Sequence, residues 1–223
     1  MGKVALVHGA LHGPWCWDGV VTGLRDRGVE TVAPELPFTG FRDDVATART
    51  AIEVAGPGVV VCGHSYGGMV ISAAASGLSG VTRLVYLAAF QTDIGENLAS
   101  LTERHPSPGT LAPEVVDGTI TFDPVALHDF FYGDSDASVV ATIAPMLRAM
   151  TFDAWTFEEE PAWKHIPSTY ILCTRDRAVA PALQREMATR ADVVVEWEND
   201  HSPFLTRPDD IAEILSSYVA HAP

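Results

Sequence analysis

Cysteine is scarce in this chain of 223 residues: the three present, at positions 16, 62 and 173, are odd in number and widely spaced. That excludes a disulfide framework, and the spacing matches no structural zinc pattern. Basic residues are scarce too. Lys and Arg total 14 against 29 Asp and Glu, a net charge of −15, which repels phosphate backbones and anionic lipid surfaces alike. Neither nucleic acid nor a membrane is therefore an expected partner. No apolar run approaches the roughly 20 residues that span a bilayer. Met1-Gly2-Lys3 passes directly into strand-like Val4-Ala5-Leu6-Val7, too short a segment for a signal peptide and without its cleavage pattern. The expected address is the cytoplasm. Internal repeats and low-complexity linkers are also lacking, and the length fits one domain, or one domain carrying an inserted subdomain.

What is present is an alternation of short β-like runs and helical patterns. Residues 3–8 read as a strand, and 15–27 as a helix with Trp17, Val21 and Leu24 on one face and Gly28 as its stop. A strand follows at 29–33, then a helix at 43–55 opening on Asp43 and Asp44, where the macrodipole favours acids. Next come a strand at 58–62, a helix from 66 to about 77 and a strand through Leu84-Val85-Tyr86-Leu87. The rhythm resumes with strands at 169–174 and 192–197, a helix at about 181–190, and a last helix from Pro208. This order predicts an α/β fold with a parallel sheet. Residues 91–166 break it with prolines, glycines and amphipathic pieces at 125–131 and 137–150, which predicts a mainly helical cap inserted into a core of 1–90 and 167–223. Such a cap would close over the strand ends, where open α/β sheets bind ligands. Its aromatics include Phe130, Phe131, Tyr132, Phe152, Trp155, Phe157 and Trp163. Some of these would wall an apolar pocket and others would form the cap's own core. Trp15, Phe131 and Trp155 are the pocket candidates.

The most informative stretch is Gly63-His64-Ser65-Tyr66-Gly67, a GxSxG pentapeptide. A strand-to-helix turn with a capping serine would explain the pentapeptide alone. The flanks decide for a nucleophile elbow, because Val59-Val60-Val61-Cys62 reads as a strand buried on both faces and Met69-Val70-Ile71 as the start of a buried helix. Gly63 and Gly67 are required there, since a Cβ at either would strike the neighbouring strand or helix as the chain reverses. Ser65 is the candidate nucleophile.

A serine hydroxyl needs a general base, and the base needs an orienting group. After an elbow of this kind the partners follow in the order acid, then histidine, each in a loop after a later strand. Asp176 follows Tyr170-Ile171-Leu172-Cys173-Thr174, and His201 follows Val193-Val194-Val195-Glu196-Trp197. Among eight histidines, His105, His128 and His165 lie in or beside the cap, His221 is terminal, and His64, next to the nucleophile, is expected to point elsewhere. Asp192 and Asp200 rival Asp176, but Asp192 opens a strand and Asp200 adjoins the histidine it would have to face. An oxyanion hole requires two backbone N–H donors. Tyr66, after the nucleophile, supplies one; Ala10, in the loop His8-Gly9-Ala10-Leu11-His12-Gly13 after the first strand, is assigned the other.

Those motifs, together with Pro14-Trp15, Gly68-Met69, Leu87-Ala88-Ala89-Phe90, Arg175, Pro181 and Gln184, resemble the α/β-hydrolase superfamily. Within it they are similar to the branch of plant methylesterases, hydroxynitrile lyases and bacterial esterase relatives. The likeness covers nearly the whole core and is weakest in the cap. It implies the α/β-hydrolase fold, a mostly parallel central sheet with helices on both faces. It also implies hydrolysis of small carboxylic esters through an acyl-enzyme, with no metal or organic cofactor. The lyases of the branch carry threonine directly after the first-loop histidine and lysine directly after the catalytic one; this chain has Gly9 and Ser202, so esterase is the reading. A biosynthetic acyltransferase, cyclase or thioesterase is the alternative, with a lyase or a non-catalytic ligand receptor behind it. The expected partner is a small-molecule ester, with a homodimer the one protein assembly left open.

Overall fold

Strand period two and continuous burial explain the central strand. In β3 (Val59–His64) every residue is buried, with Val59 and Val61 facing one apolar cluster and Val60 and Cys62 the other. The computed structural model describes residues 2–116, 119–151 and 156–220. In chain order the core elements are β1 (Lys3–Val7), α1 (Asp18–Asp26), β2 (Glu30–Val32), α2 (Phe41–Ala55), β3, α3 (Tyr66–Ala74) and β4 (Val81–Leu87). Between β4 and the next strand of the main sheet lie α4 (Leu98–Arg104), β5 (Pro113–Val116), β6 (Thr119–Phe122), α5 (Pro124–Phe131) and α6 (Ala137–Ile143). The core then resumes with β7 (Ser168–Cys173), α7 (Pro181–Ala188), β8 (Val193–Trp197), α8 (Pro203–Thr206) and α9 (Pro208–Ala220).

The main sheet has six strands in the order β2-β1-β3-β4-β7-β8, and every neighbouring pair is parallel. Helices α2, α3 and α7 bury one face, in a cluster that includes Ala48, Val70 and Leu183. Helices α1 and α9 bury the other through Leu24, Ile211 and Leu215. From β1 the chain runs outward to β2 and then returns to the opposite side of β1 as β3. The loops after β1 and β3 therefore diverge at a topological switch point, where a crevice opens at the carboxyl ends of the strands.

The stretch between β4 and β7 holds one element that the composition of 91–166 did not announce, the antiparallel hairpin β5–β6. Its signal was Asp117-Gly118 between β-branched pairs, diluted by strands of only four residues each. The amphipathic piece at 137–150 is helical only to Ile143. It tightens into a 3₁₀ turn at Ala144–Met146 because Pro145 cannot extend the α-helical hydrogen bonding. Of the aromatics, Phe157 and Trp163 join the sheet's own core cluster rather than a separate one. Trp155 and Phe152 lie outside the described residues. Among the described residues no helix is long and apolar enough to cross a membrane.

Candidate active site

Ser65 sits between β3 and α3 with φ 52° and ψ −122°, a left-handed backbone that a non-glycine residue adopts only under strain. Packing imposes it. A Cβ on Gly63 would lie 2.6 Å from the Gly67 carbonyl oxygen, and one on Gly67 would lie 2.7 Å from the His8 oxygen and closer still to that of Val7. The elbow is thus pressed against the backbone of β1, and its glycines make that approach feasible. The Ser65 carbonyl accepts the N–H groups of Gly68 and Phe90, so the turn is braced from both flanks.

The loops after β7 and β8 bring Asp176 and His201 together, both with fully buried side chains. The Nδ1–H of His201 donates to Asp176 Oδ2 at 2.7 Å. The carboxylate is held by further donors: the Ala178 and Val179 amides to Oδ1, both at 2.8 Å, and Gln184 Nε2 to Oδ2 at 2.7 Å. With both oxygens committed, the carboxylate cannot rotate, and it fixes the imidazole with Nε2 bare. That buried Nε2 has no hydrogen-bond partner among the described residues. The rival acids are engaged elsewhere. Asp192 accepts the Ser168 amide, and Asp200 accepts the amides of Asp134 and Ser202.

Ser65 opens onto a cavity of about 410 Å³ whose walls include Ala10, Leu11, Tyr66, Phe130, Phe131 and Met150, a size suited to a small ligand. Phe131, one of the three sequence candidates, lines this cavity, and its ring also packs against His201 at 5.4 Å. Trp15 does not line the cavity. Its ring stacks on that of His12, 5.4 Å away, so it backs the loop instead of the cavity. Ala10 and Tyr66 flank Ser65 on the cavity wall.

Several site residues escaped the sequence reading. His64 does not point away from the site: its Nε2–H donates to the His201 carbonyl at 2.9 Å, and the two rings lie 4.7 Å apart. Gln184 was visible as a motif residue, but its grip on Asp176 required the fold. Asp44, a buried acid of α2, accepts the Tyr66 phenol at 2.7 Å and the Phe38 amide at 2.8 Å, anchoring the residue that follows Ser65. His12 donates from Nδ1 to the Ala10 carbonyl and accepts the Tyr132 hydroxyl at Nε2, which sets its tautomer. Among the described residues no group of three or more His, Cys, Asp or Glu side chains is placed to hold a metal ion.

Burial lowers the imidazoles of His8 to about 4 and His12 to about 3, and pushes His64 well below its usual range. In the unfolded chain the same groups take up protons near 6.5. The folded state is thus at full strength above that value, and stability is lost as the pH falls below it. Each buried imidazole then contributes a slope of about 1.4 kcal/mol per pH unit. Urea melts at pH 7, 6 and 5 are expected to show a steep fall in the midpoint. A midpoint constant over that range would mean that these imidazoles are protonated inside the fold.

The chain belongs to the alpha/beta hydrolase family, whose model matches residues 4–214. It is 29% identical to the alpha/beta hydrolase nvfD of Aspergillus novofumigatus over 98% of this chain and 97% of the relative. To Methylesterase 7 of Arabidopsis thaliana it is 26% identical, over 96% of this chain and 94% of that one. The crystal structure of another Arabidopsis methylesterase shares the fold, with a TM-score of 0.78 at 21% identity over 99% of both chains. Methylesterases thus stand among its relatives, as the motif resemblance implied.

Proposed function

We propose that the protein is a serine esterase acting on small, neutral carboxylic esters with an apolar body. The observation that carries this reading is the buried His201–Asp176 pair, at 2.7 Å, in a fold whose strained Ser65 opens into an apolar cavity. In this reading His201 Nε2 takes the Ser65 proton as Oγ bonds to the ester carbonyl carbon, and the carbonyl electron pair moves onto oxygen. The Ala10 and Tyr66 amides receive that oxyanion, the latter at the positive end of α3. Collapse breaks the bond to the alcohol, which leaves with the proton from Nε2. Water then repeats the sequence on the acyl-enzyme, releasing the acid and restoring Ser65. Asp176 keeps the imidazole in the required tautomer and stabilises its cationic form.

Two features favour ester hydrolysis over cyanohydrin cleavage. A Cβ at Gly9 would come 2.8 Å from His64 Nδ1 and 2.9 Å from Ser65 Cβ, so a threonine there would displace the nucleophile itself. Ser202 is fully buried, so a lysine there would bring an ammonium into a closed site at high desolvation cost.

Ser65, Tyr66 and Thr102 bring side-chain hydroxyls to a mainly aliphatic and aromatic wall, and the Tyr66 phenol is spent on Asp44 at 2.7 Å. Thr102 already donates to the Leu98 carbonyl at 2.8 Å. An anionic substrate would find no counter-charge among the described lining residues and would approach a chain of net charge −15. Against p-nitrophenyl acetate, butyrate and hexanoate and the monoanionic p-nitrophenyl succinate, the neutral esters are expected to turn over with kcat/KM at least about 10-fold above the anion. Equal rates for succinate and butyrate would sink the substrate class. Failure of all four esters, with cyanide released from mandelonitrile, would sink the esterase reading.

A further inference from the structure

The stretch Phe131-Tyr132-Gly133-Asp134 at the end of α5 touches the site at several points. Phe131 packs on the His201 ring at 5.4 Å, and the Tyr132 hydroxyl donates to His12 at 2.7 Å. Asp134 goes further, because it exchanges hydrogen bonds with the residue just before His201. The Asp134 amide donates to Asp200 Oδ2 at 2.9 Å, and the Asp200 amide donates to Asp134 Oδ2 at 2.7 Å. Arg175, just before Asp176, donates to the same carboxylate at 2.9 Å, although its own side chain is half exposed. The Asp134 side chain is only 21% exposed. One residue of the insertion therefore grips both loops, the one that presents the histidine and the one that presents the acid.

We propose that Asp134 is a positioning residue for His201: it fastens the insertion to the 199–202 loop and so sets where the imidazole meets the serine. The proposal rests on the triad reading above. Its geometry is specific, since Asp200 Oδ1 is taken by the Ser202 amide at 2.9 Å and by Asn199 Nδ2. Asp200 is thus tied to its own loop through one oxygen and to Asp134 through the other. Without the Asp134 carboxylate, the buried Asp200 N–H loses its acceptor and the loop can slip relative to α5. A small misplacement of a general base costs far more rate than affinity, because the substrate's apolar body binds elsewhere in the cavity.

The experiment compares wild type, Asp134→Ala, Asp134→Asn and Asp129→Ala on p-nitrophenyl butyrate. Rates are taken per active serine, titrated with a fluorophosphonate, well below each variant's melting temperature. Asp129 supplies the control: from α5 it makes a 3.0 Å surface ion pair to Arg177 but, among the described residues, no hydrogen bond to the histidine loop. Asp134→Ala is expected to lower kcat by about 10- to 100-fold with KM within about twofold. Asp134→Asn, whose amide oxygen still accepts the Asp200 N–H, is expected to recover to within about threefold of wild type, and Asp129→Ala to match wild type. Should Asp134→Ala fail to fold, Asp134→Ser, too short to reach the Asp200 amide, is read in its place. An alanine or serine variant as fast per titrated serine as Asp129→Ala overturns the positioning role while the triad stands. A wild type that neither hydrolyses the ester nor reacts with the fluorophosphonate overturns the triad reading beneath it.

Discussion

Ser65→Ala is expected to lower ester turnover by roughly 10³- to 10⁶-fold, and His201→Ala by a similar factor, with the double variant little worse than either alone. The non-additivity is the diagnostic part. Once the hydroxyl is gone there is no proton for Nε2 to take, so the histidine's contribution vanishes with it; once Nε2 is gone, the hydroxyl is a poor nucleophile at neutral pH. Asp176→Asn should cost about 10⁴-fold in kcat, because the amide in place of the carboxylate no longer holds the Nδ1–H tautomer. Gln184 donates to Asp176 Oδ2 at 2.7 Å from its amide nitrogen, so an asparagine at 176 would also face that donor with whichever group it turns toward it. Stability should separate from activity. Alanine at 65 inherits the same φ of 52° and removes only one oxygen, so its melting temperature is expected within a few degrees of wild type. The test is kcat on p-nitrophenyl butyrate together with intact-mass detection of a fluorophosphonate adduct, which should form on wild type and be absent from Ser65→Ala. Residual turnover within tenfold of wild type in the serine variant would mean that another group attacks the carbonyl.

How much of this was legible before folding follows from which interactions are local. The sheet was readable because its strands are apolar runs: β3 is buried along its whole length, and a run of valines between glycines has few other uses. Ser65, Asp176 and His201 stood out as candidates because each follows such a run, and the order of elements restricts where strand ends gather. The grip on those residues was not readable. Gln184 reaches Asp176 across one turn of α7, Asp44 reaches Tyr66 over 22 residues of sequence, and Asp134 reaches Asp200 over 66. Polar side chains of this kind carry no periodic signature, so their partners emerge only when distant loops meet. Trp15 shows the converse. Its chemistry suited a pocket wall, but the turn before it directs the ring onto His12, and backbone direction is not encoded in hydrophobicity.

Gly67→Ala is expected to be the most damaging single methyl group that can be added to the elbow, and it tests the packing that holds Ser65 in its strained backbone. The added Cβ would meet backbone, not side chain: 2.7 Å from the His8 carbonyl oxygen, 3.1 Å from the Val7 carbonyl carbon and nearest of all to the Val7 oxygen. Side chains can swing away from such contacts, but a central strand cannot. Strand β1 is hydrogen-bonded on both sides, to β2 and β3, so relief would require moving the sheet or pushing α3 outward. The expected cost is about 3 kcal/mol or more, a drop in melting temperature of roughly 10 °C for a domain of this size. Activity should fall further than stability accounts for. The same displacement separates the loop bearing Ala10 from Ser65 and Tyr66, and removal of one oxyanion donor alone commonly costs about 100-fold or more. Gly133→Ala is the matched control. Its Cβ would meet nothing within 4 Å, so it should melt within about 2 °C of wild type. Differential scanning calorimetry and kcat/KM on p-nitrophenyl butyrate, measured for both variants, decide the matter. If Gly67→Ala melts and turns over like Gly133→Ala, the elbow has room to spare, and contact with β1 does not hold the serine in its strained backbone.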